Sequence, residues 1–250
     1  MSQFLSLWWD WGMASSEVIA TTLLTFFMLT SNLKFKTKRF IKPAMFALSG
    51  LISVVIGWGI GNTINPGGAT SFMLLPIALV KSVYYQKYTA LLMIVSMQLL
   101  GILLGYFIYR FFVFTMNLNT SKADEKVNYE QGLVRLEGSY KFNASKETIA
   151  QFIFALALVF MTIWSEYLNI SSPFIMMVLN LFVLVLMLFV LLVLFEEMNY
   201  FMLSPLFFLP TIISLKATKK EYINLIMISA IQVVMIMSMS NIEFAIRKAK

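Results

Sequence analysis

The sequence predicts an all-α integral membrane protein: six transmembrane helices plus two re-entrant half-helices, built as an inverted repeat of two three-helix halves. Three observations carry that prediction. Of 250 residues, 60% are hydrophobic and only 12% charged, whereas a soluble domain is nearer half apolar and a quarter charged. Six runs reach the roughly 20 mostly apolar residues that a spanning helix needs. The chain also matches itself weakly, without gaps, at a shift of 134 residues.

The six runs are residues 14–33, 43–60, 88–109, 149–167, 173–195 and 222–242. The first carries one acid, Glu17; the second, third, fifth and sixth contain no charge at all. Ahead of the first run, Trp8, Trp9 and Trp11 surround Asp10. That is interfacial anchor chemistry and not a cleavable signal, since no basic stretch precedes it.

Two further apolar stretches do not fit a simple count of six crossings, and eight crossings or an interfacial helix is the alternative. Residues 67–80 are too short, and residues 198–215 are broken by Pro205 and Pro210. Short, Gly/Pro-interrupted segments at corresponding places in two halves predict half-helices that re-enter the bilayer. Between the halves lies the long polar segment 117–146, with Asp124, Glu125, Glu130 and Glu137 beside Lys122, Lys126, Arg135 and Lys141. It reads as a solvated loop, in which residues 127–140 have the pattern of a short hairpin. The chain is thus one membrane domain over 1–250: repeat 1 at about 14–116, loop 117–146 and repeat 2 at about 147–242.

At the shift of 134, Tyr88, Leu91, Met93, Ile94 and Gln98 recur as Tyr222, Leu225, Met227, Ile228 and Gln232. Leu75-Pro76 maps onto Leu209-Pro210, Asn65 onto Asn199, and Glu17 onto Gln151. Each repeat holds three crossings. Three is odd, so the second repeat lies inverted relative to the first, the architecture of channels and transporters whose working site is near the midplane.

Composition excludes much chemistry. With no Cys and no His, there are no disulfides, thiol nucleophiles, Cys/His metal sites or imidazole bases. No nucleophile–base pair or cofactor loop is visible, so no enzyme, no cofactor and no metal is expected. The net charge of +7 is too thinly spread for nucleic acid binding.

The candidate site is the meeting point of the half-helices. Asn is a good helix N-cap and Pro fits the first turn, so Asn65-Pro66-Gly67 reads as the start of the first half-helix. Its amide and the positive helix end would face the path. Two such ends repel cations while offering donors to a water or hydroxyl oxygen.

In this order the parts resemble the major intrinsic protein family, the aquaporins and glycerol facilitators. The run 16–27 with its early acid resembles that family's first helix, and Asn65-Pro66-Gly67 its first Asn-Pro-Ala box with Gly for Ala. Gln98 to Gly105 resembles the third helix, and Ala150-Gln151-Phe152 the start of the fourth, with Gln where an acid is usual. The resemblance implies that Glu17 and Gln151 anchor the half-helix loops. The second box departs from the pattern Asn-Pro-Ala-Arg: Asn199 stays, but Tyr200, Phe201 and Met202 follow it. Met202 supplies neither the charge nor the rigid donor fork of Arg. Glu196 stands three residues before Asn199, where the family has another filter position; an exposed mouth carboxylate is the equal alternative. Family spacing puts the remaining filter positions near Met45 and Met187.

What the resemblance implies is a passive channel for water or small uncharged solutes, multi-pass in the cell membrane and homotetrameric. The surviving first box favours that reading. The degenerate second box motivates the alternative, a non-conducting subunit or anchor of a larger assembly. Family topology with both termini inside leaves five Lys/Arg on the inner side, namely Lys81, Lys87, Arg247, Lys248 and Lys250. The other fourteen of the 19 then lie outside. The positive-inside rule prefers the reverse, so either the chain is inverted or its basic face meets an acidic protein partner.

Overall fold

The computed structural model describes residues 8–35, 40–66, 72–118, 126–133, 144–167, 173–194, 204–214 and 216–248. It is all-helical. Its helices are α1 (Trp11–Lys34), α2 (Ile41–Ile64), α3 (Leu75–Tyr85), α4 (Leu91–Leu118), α5 (Ala144–Tyr167), α6 (Pro173–Leu194), α7 (Leu209–Ile213) and α8 (Lys219–Lys248). Short 3-10 turns cover Tyr129–Gly132 and Pro205–Phe208. Four helices, α1, α2, α4 and α8, are long and apolar enough to cross a membrane. Apolar helices of that length mark a membrane-embedded protein. Helices α5 and α6 have 24 and 22 residues.

Helix α1 is the hub. It begins where the Asp10 carboxylate caps the Met13 N–H at 2.7 Å, the bond an N-cap supplies. It packs between α2 and α4, and small residues permit the close approach. A Cβ at Gly57 of α2 would stand 2.8 Å from the Ser16 carbonyl oxygen. One at Gly101 of α4 would stand 2.7 Å from that of Val18, and one at Gly105 2.5 Å from that of Thr22. The four-residue spacing of Gly101 and Gly105 is the small-xxx-small pattern of packed membrane helices. Position 101 pairs with 18 and 105 with 22, so α1 and α4 run parallel; Gly57 beside Ser16 and Ala20, and Asn65 beside Asp10, make α2 antiparallel to them.

Two ends of the bundle follow from these directions. One, the tryptophan end, gathers Trp8–Asp10, Asn65 and the start of α4. There Asn65 Nδ2 donates to Asp10 Oδ2 at 2.6 Å, and the Asp10 N–H meets Met93 Sδ at 3.3 Å. The other, the lysine end, gathers the ends of α1 and α4, residues 126–133 and the approach to α8. Asn117 clasps Val127 through two hydrogen bonds of 2.9 and 2.8 Å. Tyr109 donates to the Tyr129 carbonyl at 2.8 Å, Asn32 donates to that of Gly132 at 3.3 Å, and Lys216 pairs with Glu130 at 3.1 Å. Helix α8 then starts at a capping box: Thr218 Oγ1 accepts from the Glu221 N–H at 3.3 Å, while the Glu221 carboxylate accepts from the Thr218 N–H at 2.9 Å.

The two halves of the chain interlock reciprocally. Helix α3 packs against α8 and α5, α7 against α4, and α2 against α6. Within the second half, α8 packs along α5 as α4 does along α1. The side of α8 facing inward carries Glu221, Asn224, Ile228, Gln232, Ile236 and Ser240, all buried.

Several boundaries differ from the sequence expectation. The third helix continues to Leu118 instead of ending near residue 109. The described part of residues 198–215 is a 3-10 turn followed by the five-residue α7, shorter than the 11 residues of α3. The described stretch of the expected hairpin at 127–140 is a 3-10 turn.

Candidate functional site

Two interrupted segments, one leading into α3 and one into α7, contribute to the apolar interior of the bundle. The first of these segments lies between Asn65 and the start of α4, both beside Asp10 at the tryptophan end. Its inner tip is Phe72-Met73-Leu74, and α3 begins at Leu75 with Pro76 in its first turn. Pro fits there because no intrahelical donor is lost. Asn65 is therefore not the start of this helix. It ends α2, donating its N–H to the Gly61 carbonyl at 3.0 Å from an extended backbone. The cause is Pro66, whose ring drives the preceding residue out of the helical region. The Asn65 amide points at Asp10, at the bundle end, and not at the tip.

Glu17 holds the tip in place. Fully buried, it accepts from the backbone N–H groups of Phe72 and Met73, the latter at 3.2 Å, and from Gln98 Nε2 at 3.0 Å. A buried carboxylate requires such donors, and here they come from the tip of the segment and from α4. Met73 sits at φ 60, in the left-handed region that a non-glycine residue enters at a cost. The Glu17 bonds at 72 and 73 help to hold that turn.

The surroundings of the tip are apolar. Phe72, Met73 and Leu74 are all buried, as are Phe207 and Phe208 of the second segment and Phe46 of α2. All six belong to one continuous hydrophobic cluster. The Met73 methyl lies 3.4 Å from where a Cβ on Gly50 would be. Phe207 meets Phe46 edge to face at 6.5 Å between ring centroids. Phe46 and Gly50 are one turn apart on α2, so the two tips approach the same helix within roughly 6 Å of each other along it. The groups packed here against α2 are a thioether and a phenyl ring.

The remaining predicted residues fall as follows. Met45 is half-buried, and its neighbour Phe46 takes the inward position beside Phe207. Met187 is half-buried on α6 against the core. Gln151 is fully buried, about two turns into α5, the helix that packs along α8. Pro66 follows the α2 terminus. Gly67, Glu196, Asn199, Tyr200 and Met202 lie outside the described residues. Sequence reasoning missed Phe46, Phe72, Met73 and Phe207. The signal for Phe46 was present: Pro43, Ala47, Gly50, Val54, Gly57 and Gly61 mark the packed stripe of α2 at helical spacing, and 46 lies on it.

Among the described residues, no group of three or more His, Cys, Asp or Glu could hold a metal ion. Compared with known proteins, the chain matches no protein-family model, and no curated protein matches it.

Proposed function

We propose that the chain is an aquaporin-like membrane subunit, six times across the bilayer with two re-entrant segments in an inverted repeat, whose central path is closed to water and glycerol. The reading rests on one observation above the rest. The tips of both interrupted segments are apolar and packed, with Met73 against Gly50 and Phe207 against Phe46. A hydrophobic constriction sheds water even when not fully filled, and the bulky packed side chains support a closed path. Its role is then that of a non-conducting subunit or anchor within a larger membrane assembly. The order of sequence motifs, the 134-residue repeat and the reciprocal packing of α3 on α8 and α7 on α4 support the architecture.

A conducting channel for small uncharged solutes is the second reading. The Glu17–Gln98 clasp favours it, because holding a loop tip deep in the bundle is what a selective path requires and an anchor does not.

Purified protein in liposomes under an osmotic step tests both. The first reading expects water and glycerol flux equal to that of protein-free liposomes. Flux clearly above that baseline refutes it and leaves the channel.

A further inference from the structure

The two ends of the bundle are chemically unlike. The tryptophan end exposes Trp8, Trp9 and Trp11, with Trp9 and Trp11 edge to face at 5.2 Å. Asp10 is buried there in its bond to Asn65. The opposite end collects Lys34, Arg110, Lys126, Lys216, Lys219 and Lys220, all exposed. They arrive from four separate parts of the chain: the end of α1, the outer third of α4, the 126–133 segment and the start of α8. Among the described residues, Glu130 pairs with Lys216 and Glu221 stands buried at the start of α8.

Counted along α4 from its start at the tryptophan end, Arg110 reaches the depth of lipid headgroups. Arg110 stands 19 residues beyond Leu91, roughly 28 Å along α4, at the far edge of a hydrocarbon core about 30 Å thick. Its guanidinium lies 4.8 Å from the Tyr129 ring centroid, at the level where the 126–133 segment covers the bundle. Cations distributed around a helix-bundle rim at this level meet the phosphates of a leaflet. A protein docking from solution would instead find them dispersed.

We infer that this lysine end contacts anionic phospholipid headgroups of the cytoplasmic leaflet, so that Trp8 and Lys248 lie on the outer side of the membrane. Lys and Arg in short connections set orientation by remaining on the cytoplasmic side, where anionic lipid attracts them. Helix α8 starts at the lysine end, and its 30 residues, roughly 45 Å, carry Lys248 to the tryptophan end. The inference rests on the chain spanning the bilayer and is independent of whether it conducts.

The chain has no cysteine, so single-cysteine variants report accessibility without background. Lys126→Cys and Lys248→Cys replace exposed residues at opposite ends. A membrane-impermeant maleimide added to intact cells is expected to label the Lys248→Cys variant at least about tenfold more than Lys126→Cys. Permeabilisation should bring Lys126→Cys to the same level. The reverse pattern, or equal labelling of both in intact cells, overturns the inference; the reverse pattern returns the basic face to an acidic protein partner. A second readout needs no substitution: a phosphatase that is active only outside the cytoplasm, fused after Lys250, is expected to be active. An inactive fusion on a membrane-inserted chain overturns the inference as well.

Discussion

Replacing Glu17 by Gln keeps the shape of the side chain and removes half of its bonding. The carboxylate presents two acceptor oxygens to three donors, one oxygen facing Phe72 N–H and the other facing Met73 N–H and Gln98 Nε2. A glutamine amide has one acceptor and one donor group. Its better orientation keeps the oxygen on Met73 and Gln98 and turns its NH2 toward the Phe72 N–H, leaving that donor without a partner. The lost bond to a charged group is worth about 1.5–3 kcal/mol, and the two that remain fall from charge-assisted to neutral strength, about 1 kcal/mol each. The expected cost is roughly 3–5 kcal/mol. Gln98→Leu removes one of the three bonds and is expected to cost about 1.5–3 kcal/mol. The two residues share a network, so the double variant should cost less than the sum of the singles. Chemical unfolding of the purified protein in detergent, followed by tryptophan fluorescence, measures all three. A Glu17→Gln variant within about 0.5 kcal/mol of the parent, or strict additivity with Gln98→Leu, refutes the claim that Glu17 holds the tip.

Two more expectations concern packing and capping. Gly101→Ala should destabilise by about 1–3 kcal/mol, because its Cβ meets Thr21 and the Val18 carbonyl of α1. Gly59→Ala, with nothing within 4 Å, should be neutral or stabilising by up to about 1 kcal/mol; the same unfolding assay compares them, and equal effects would defeat the close-packing account. Thr218→Ala opens the capping box of α8 and should cost about 1 kcal/mol, with faster amide exchange confined to the first turn of α8.

Much of the helical layout was legible because its cause is local. Apolar length alone located α1, α2, α4, α5, α6 and α8, and the isolated acid in the first run marked Glu17 as a residue in need of donors. The tip was not legible in the same way. Asn65-Pro66 satisfies two rules at once, the N-cap rule for a helix that follows and the pre-proline rule for a helix that ends. Only the tertiary bond from Asn65 to Asp10 decides between them. Phe72 and Met73 gave no signal, because in a chain with 23 Phe and 18 Met neither residue stands out by type. What distinguishes them is their backbone, held by an acid 55 positions away. Residue identity could not report that. The filter position near Met45 was carried over by spacing without an anchoring motif, and such spacing has no means of choosing between half-buried Met45 and its buried neighbour Phe46.

The glycines around α1 also bear on which parts of the molecule can move. With Gly57, Gly101 and Gly105 pressed on its carbonyls, α1 has no slack to slide or turn against its neighbours. A shift of even a few tenths of an ångström would drive backbone into backbone, so α1, α2 and α4 must travel as one block. Any working motion of this protein then falls to the second half of the chain, or to the seam where α3 and α6 touch it. Amides of α1 should be the last in the molecule to exchange with solvent.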